Sequence, residues 1–99
     1  MPDRDFCVYC NTEDEAMELL EYLESEGFLW FSGAKPTSHT HWGMRRDQCG
    51  LWYCIDISSL KEAITYSTVG LTPDRYQEVK LYSLIASHVL NVDSIVDFV

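Results

Sequence analysis

The segment TEDEAMELLEYLESEGFLWFSG, residues 12–33, joins an acidic helix to an aromatic strand. Seven of its residues are Asp or Glu and none is Lys or Arg. Thr12 and Glu15 form a T-x-x-E capping box, which starts the helix at Glu13. At about 100° per residue, Ala16, Leu19, Leu20 and Leu23 share one face, while Asp14, Glu18 and Glu21 form a row on the other. Gly27 ends the helix after about Glu26, because glycine accepts the left-handed conformation of a helix C-terminus. Phe28–Ser32 then reads as a strand covered on both faces, closed by Gly33.

Working outward, Phe6–Cys10 (FCVYC) has the aromatic and β-branched content of a first strand. Residues 34–50 lack a hydrophobic period and read as a long loop, basic through Lys35, Arg45 and Arg46. Leu51–Ile57 alternates as a third strand. Ala63–Val69 is a fourth, joined to the third as an antiparallel hairpin. Thr72-Pro73 opens a second helix running to about Asn91, with Tyr76, Val79, Leu84 and Val89 facing inward. The tail 92–99 reads equally as a helical turn or a strand. The order β-α-β-β-β-α gives an α+β fold: a small, mainly antiparallel sheet of about four strands, the acidic helix on one face and a C-terminal helix beside it.

The 99 residues fit a single domain, 1–99, and 46% hydrophobic content is enough for a core. A formal charge of −9 repels nucleic acid and anionic membranes and favours basic partners. No apolar run is long enough to span a bilayer and no signal peptide is evident, so a cytoplasmic location with reduced cysteines is expected.

Chemistry-bearing motifs are weak. Cys7-x-x-Cys10 has the spacing of half a zinc site, with His39, His41, Cys49 and Cys54 as further ligands. A strand at 6–10 points Cys7 and Cys10 to opposite faces, so small buried hydrophobes are the better reading and no metal or cofactor is expected. No nucleophile elbow, P-loop or dinucleotide fingerprint is present, so no catalytic residue is assigned and the chain reads as a non-enzyme. Residues 32–46 combine cations, hydroxyls and Trp42, a set suited to a nucleotide-like anion. Asp14, Glu18 and Glu21 make the strongest candidate site, a rigid row of carboxylates for a basic groove. Asp3, Asp5, Glu13 and Glu24 widen that patch, and Trp42, Arg45 and Arg46 add an aromatic and arginine anchor beside it.

The assembled pattern is a strand, T-x-D-E-A opening a hydrophobic helix, E-G-F-x-W-x-S-G, a variable loop, then Y-x-I-x-I and I-T-Y-S strands. It is carried by Thr12, Glu15, Ala16, Leu20, Leu23, Gly27, Trp30, Ser32, Gly33, Tyr53, Ile55, Ile57 and Ile64–Ser67. Across about residues 6–69 it resembles small accessory proteins of bacteriophages and prophages. That resemblance implies the anti-defence class, including anti-CRISPR proteins, whose members are often small, acidic and non-enzymatic, some of them imitating DNA. The expected function is a phage-type inhibitor in the host cytoplasm. It would bind a basic, nucleic-acid-handling host protein, such as a CRISPR-Cas effector, and block nucleic acid access without binding nucleic acid itself. The alternatives are a nucleotide binder using residues 32–46 and an assembly subunit that self-associates as a homodimer.

Overall fold

Helix α1 spans Glu13–Ser25, and both of its ends are closed by local chemistry. At the start, Thr12 is extended and its Oγ1 accepts from the Glu15 N–H at 3.1 Å. The return arm of the capping box is displaced by one residue: Glu15 Oε1 accepts from the Asn11 N–H at 2.7 Å. At the end, Gly27 has φ +90. The Phe28 N–H reaches Leu23 O and the Gly27 N–H reaches Glu24 O, each at 3.1 Å, which is a Schellman closure. Ala16, Leu19, Leu20 and Leu23 are fully buried, as the spacing predicts.

We describe residues 4–45, 50–59, 62–68 and 76–85 of a computed structural model. The strands are β1 (Phe6–Cys10), β2 (Leu29–Trp30), β3 (Leu51–Ile55), β4 (Glu62–Ser67) and β5 (Gln77–Glu78). They form one sheet in the order β2-β4-β3-β1-β5. The fold is α+β, but among the described residues the sheet has five strands and is mixed. The pairs β1–β3 and β3–β4 are antiparallel, while β1–β5 and β2–β4 are parallel. Only β3 therefore runs against the others. The chain leaves β1, forms α1, and returns as β2 beyond β4, and the β3–β4 hairpin fills the gap as in a split β-α-β unit.

Register decides what α1 covers. Phe6, Val8 and Cys10 lie opposite Ile55, Tyr53 and Leu51, and Ile64 lies opposite Ile55. These seven side chains share one face and form the core with the apolar side of α1 and Trp30. Burying each large aliphatic side chain contributes about 1.5–3 kcal/mol.

Three expectations need correction. The strand expected over 28–32 is only Leu29–Trp30. Gly33, at φ +89, donates to Trp30 O at 2.7 Å, so the chain turns at once and Phe31 is left 54% exposed at the turn. The third strand stops at Ile55. Asp56 accepts from the Ser58 N–H and hydroxyl and folds Ile57–Ser59 into a 3-10 turn. The helix expected from Pro73 is interrupted. Gln77–Glu78 pairs with β1, the Gln77 N–H donating to Asp5 O at 3.1 Å and the Val79 N–H to Cys7 O at 2.9 Å. Those carbonyls lie on an open strand edge, and satisfying them outweighs local helical pattern. A helical turn follows at 81–85 and places Leu84 in the core. The rest of that expected helix and the 92–99 tail lie outside the described residues.

Candidate partner-binding surface

The acids of α1 separate into those with internal partners and those directed to solvent. Glu13 Oε2 accepts from the Thr40 hydroxyl at 2.8 Å, and Thr40 is itself buried. Near the other end, Glu24 Oε1 accepts from the Thr37 hydroxyl at 2.8 Å and the Thr37 N–H at 3.3 Å. Those bonds hold the Glu24 carboxyl below its usual range. Glu15 closes the N-terminal cap. Asp5 Oδ1 accepts from the Ile57 N–H at 3.0 Å, which pins the β3–β4 connection. Glu13, Glu24 and Asp5, expected to widen the acidic patch, thus have structural partners. Asp3 lies outside the described residues.

Asp14, Glu18 and Glu21 remain. All three are exposed, and among the described residues none takes part in an ion pair. Their spacing confines them to one stripe about 10 Å long on the helix. α1 itself supplies no basic neighbour to these three carboxylates.

The segment expected as an irregular loop is built around Trp30. The Trp30 indole N–H donates to Pro36 O at 3.0 Å and His39 O at 3.1 Å. His41 sits edge-on to Trp30 with centroids 4.6 Å apart and stacks on Tyr66 at 4.5 Å. The Tyr53 hydroxyl donates to Thr40 O at 2.6 Å. Pro36–Ser38 and Trp42–Arg45 form 3-10 turns. Trp42 is half-buried against the core. Arg45 ends the second turn, and Arg46 lies outside the described residues. The structure therefore places Asp14, Glu18 and Glu21 together on α1, while Trp42 belongs to the second 3-10 turn, its N–H donating to the Thr40 hydroxyl that reaches Glu13.

Of the hydroxyls Ser32, Thr37 and Ser38 that suggested a nucleotide site, two have internal acceptors, Thr37 on Glu24 and Ser38 on Lys35 O at 2.6 Å, and the neighbouring Thr40 donates to Glu13. Cys7 and Cys10 fall on opposite faces of β1, and Cys54 lies across from Cys7. Burial pushes the thiols of Cys10 and Cys54 up to about 12, so neither is a thiolate near neutral pH. Among the described residues no group of three His, Cys, Asp or Glu is placed to hold a metal ion, and no helix is long and apolar enough to cross a membrane. Cys49 lies outside those residues.

A feature the sequence reading missed is a groove beside α1, lined by Tyr9, Leu81, Tyr82 and Ile85 together with Glu15, Glu18 and Lys80. No local pattern foretells it, because it depends on β5 bringing residues 80–85 beside the end of β1. Comparison with protein-family models, with curated proteins and with solved structures returned no match.

Proposed function

We propose that this protein is a non-enzymatic binding protein whose α1 row docks on a basic surface of a nucleic-acid-handling protein and denies that surface to nucleic acid. One observation carries the reading: Asp14, Glu18 and Glu21 are exposed and, among the described residues, in no ion pair, while Glu13, Glu15 and Glu24 are engaged internally. Exposed like charges at this spacing destabilise a helix by tenths of a kcal/mol each, so the stability of α1 does not ask for them. Their axial spacings, about 6 and 4.5 Å, are of the order of the phosphate rise along a nucleic acid strand. The resemblance of residues 6–69 to phage accessory proteins supports placing the partner in a bacterial host's defence machinery, a CRISPR-type effector first among them.

The test is affinity capture from a bacterial lysate at low and high salt, comparing wild type with a variant carrying Asp14→Lys, Glu18→Lys and Glu21→Lys. A specific partner should be retained by wild type at low salt, released at high salt, and lost with the variant. Equal recovery of that partner by both proteins would overturn the reading.

A further inference from the structure

We infer that the groove beside α1 is a receptor for an extended, arginine-bearing segment of the partner, so that the protein holds a basic chain as well as presenting charge to one. This rests on the proposed reading of the α1 row and specifies what meets it. The groove has a volume of ≈ 530 Å³ and lies where β1 outruns β5, which pairs only with Phe6 and Cys7. Tyr9 lines the groove. Its ring packs against Trp52 at 5.1 Å between centroids, which fixes its orientation. Tyr82 also lines the groove and is 74% exposed, so its ring is open to a ligand from solvent. Leu81 and Ile85 add apolar surface to the lining.

Charge selects the occupant. Glu15, Glu18 and Lys80 all line the groove; Lys80 is held by Glu78 at 2.9 Å, and Glu15, although it accepts from the Asn11 N–H, keeps its negative charge. An anion is repelled here, and an apolar ligand would strip water from two carboxylates without replacing it. A cation over the exposed Tyr82 ring gains from the ring quadrupole and from the carboxylates. Guanidinium fits better than ammonium, because its plane stacks on a ring and its fork meets a carboxylate with two parallel bonds.

Shape selects a chain over a compact molecule. The groove continues into a second depression of ≈ 330 Å³ bounded by Glu18, Glu21, Tyr22 and Ser25, and the two share Glu18 and Ile85. From Glu15 to Ser25 the path follows α1 for about 15 Å. An extended peptide covers that length with four or five residues.

The experiment uses the full chain and fluorescence anisotropy with labelled penta-arginine, pentalysine and pentaserine peptides at low salt. Wild type should bind penta-arginine above pentalysine and pentaserine not at all. Tyr82→Ala should weaken penta-arginine binding about three- to tenfold and narrow the preference over lysine, with an unchanged melting temperature because the side chain is exposed. Asp14→Lys, outside the groove, should lower both cationic peptides alike. If Tyr82→Ala leaves the arginine preference intact while Asp14→Lys weakens binding, the groove inference is wrong and the charge reading stands. If penta-arginine binds no better than pentaserine, both fall.

Discussion

A side chain on Gly50 would collide with its surroundings: a Cβ there would lie 2.8 Å from Tyr9 Cζ and closer still to the Cys10 carbonyl oxygen. Gly50 precedes β3 directly, and Cys10 pairs with Leu51, so the obstacle is backbone on a neighbouring strand. Gly50→Ala is therefore expected to destabilise the fold by about 1–3 kcal/mol, measured by denaturant unfolding, and to disturb the Tyr9 ring that lines the groove. Gly27 is a different case. Space is open around it, and its φ of +90 alone disfavours a side chain, so Gly27→Ala should cost about 1 kcal/mol. His41 carries a pH dependence. Burial, then the neighbouring His39, lowers its pKa below the ordinary 6.5. The folded state thus favours neutral His41, and its contribution is full above about pH 6.5 and declines as pH falls below it. The carboxylates of Glu24 and Asp56 are also depressed, but from 4.5 and 3.8, so their losses begin at lower pH. Melting temperature between pH 7 and 5 should accordingly fall more in wild type than in His41→Asn, a substitution that tolerates the φ of 55 at this position.

At the scale of elements, α1 has three duties, divided among its faces and ends. Its leucines cover the sheet, Glu13 and Glu24 hold the 34–45 segment, and its outer row faces solvent. Thr40→Val removes the hydroxyl that reaches Glu13 while keeping volume and the Tyr53 bond to the Thr40 carbonyl. It should cost about 1 kcal/mol, and hydrogen exchange should show faster opening of amides in residues 36–42 than in α1. The sequence disclosed α1 almost completely because its signals are local: the Thr12 cap, the leucine spacing and the Gly27 stop lie within one segment. It disclosed the alternation of β3 and β4 for the same reason. It concealed what depends on distant partners. The apolar run at 28–32 does not reveal that Gly33 folds back onto Trp30. Nor does the helical pattern after Pro73 reveal that the carbonyls of Asp5 and Cys7 will recruit Gln77 and Val79. The candidate row was legible as a row. That Glu13 and Glu24 drop out of it was not, since their threonine partners are 27 and 13 positions away.

For the molecule as a whole, the outer row sets stability against recognition. The chain carries −9, and a compact body of that charge repels itself. Asp14 opposes Glu18, Glu18 opposes Glu21, and Glu21 opposes Glu24, each pair one turn apart with no base among the α1 residues. Asp14 at least lies in the first turn, where the helix dipole favours it. Glu18 and Glu21 have no such offset. A protein shaped only for stability would have neutral residues there. Changing both to Gln should therefore raise stability by about 0.5–1 kcal/mol at low ionic strength. The gain should vanish by about 0.5 M salt, where screening has already relieved the wild type. Paired denaturation curves at the two salt concentrations check this, and the same variant should lose affinity for cationic peptides. A stabilised variant that also binds as well as wild type would mean that the row has no part in recognition. Gain of stability with loss of binding would identify Glu18 and Glu21 as residues kept at a cost to the fold, which is how a functional surface differs from a solubilising one.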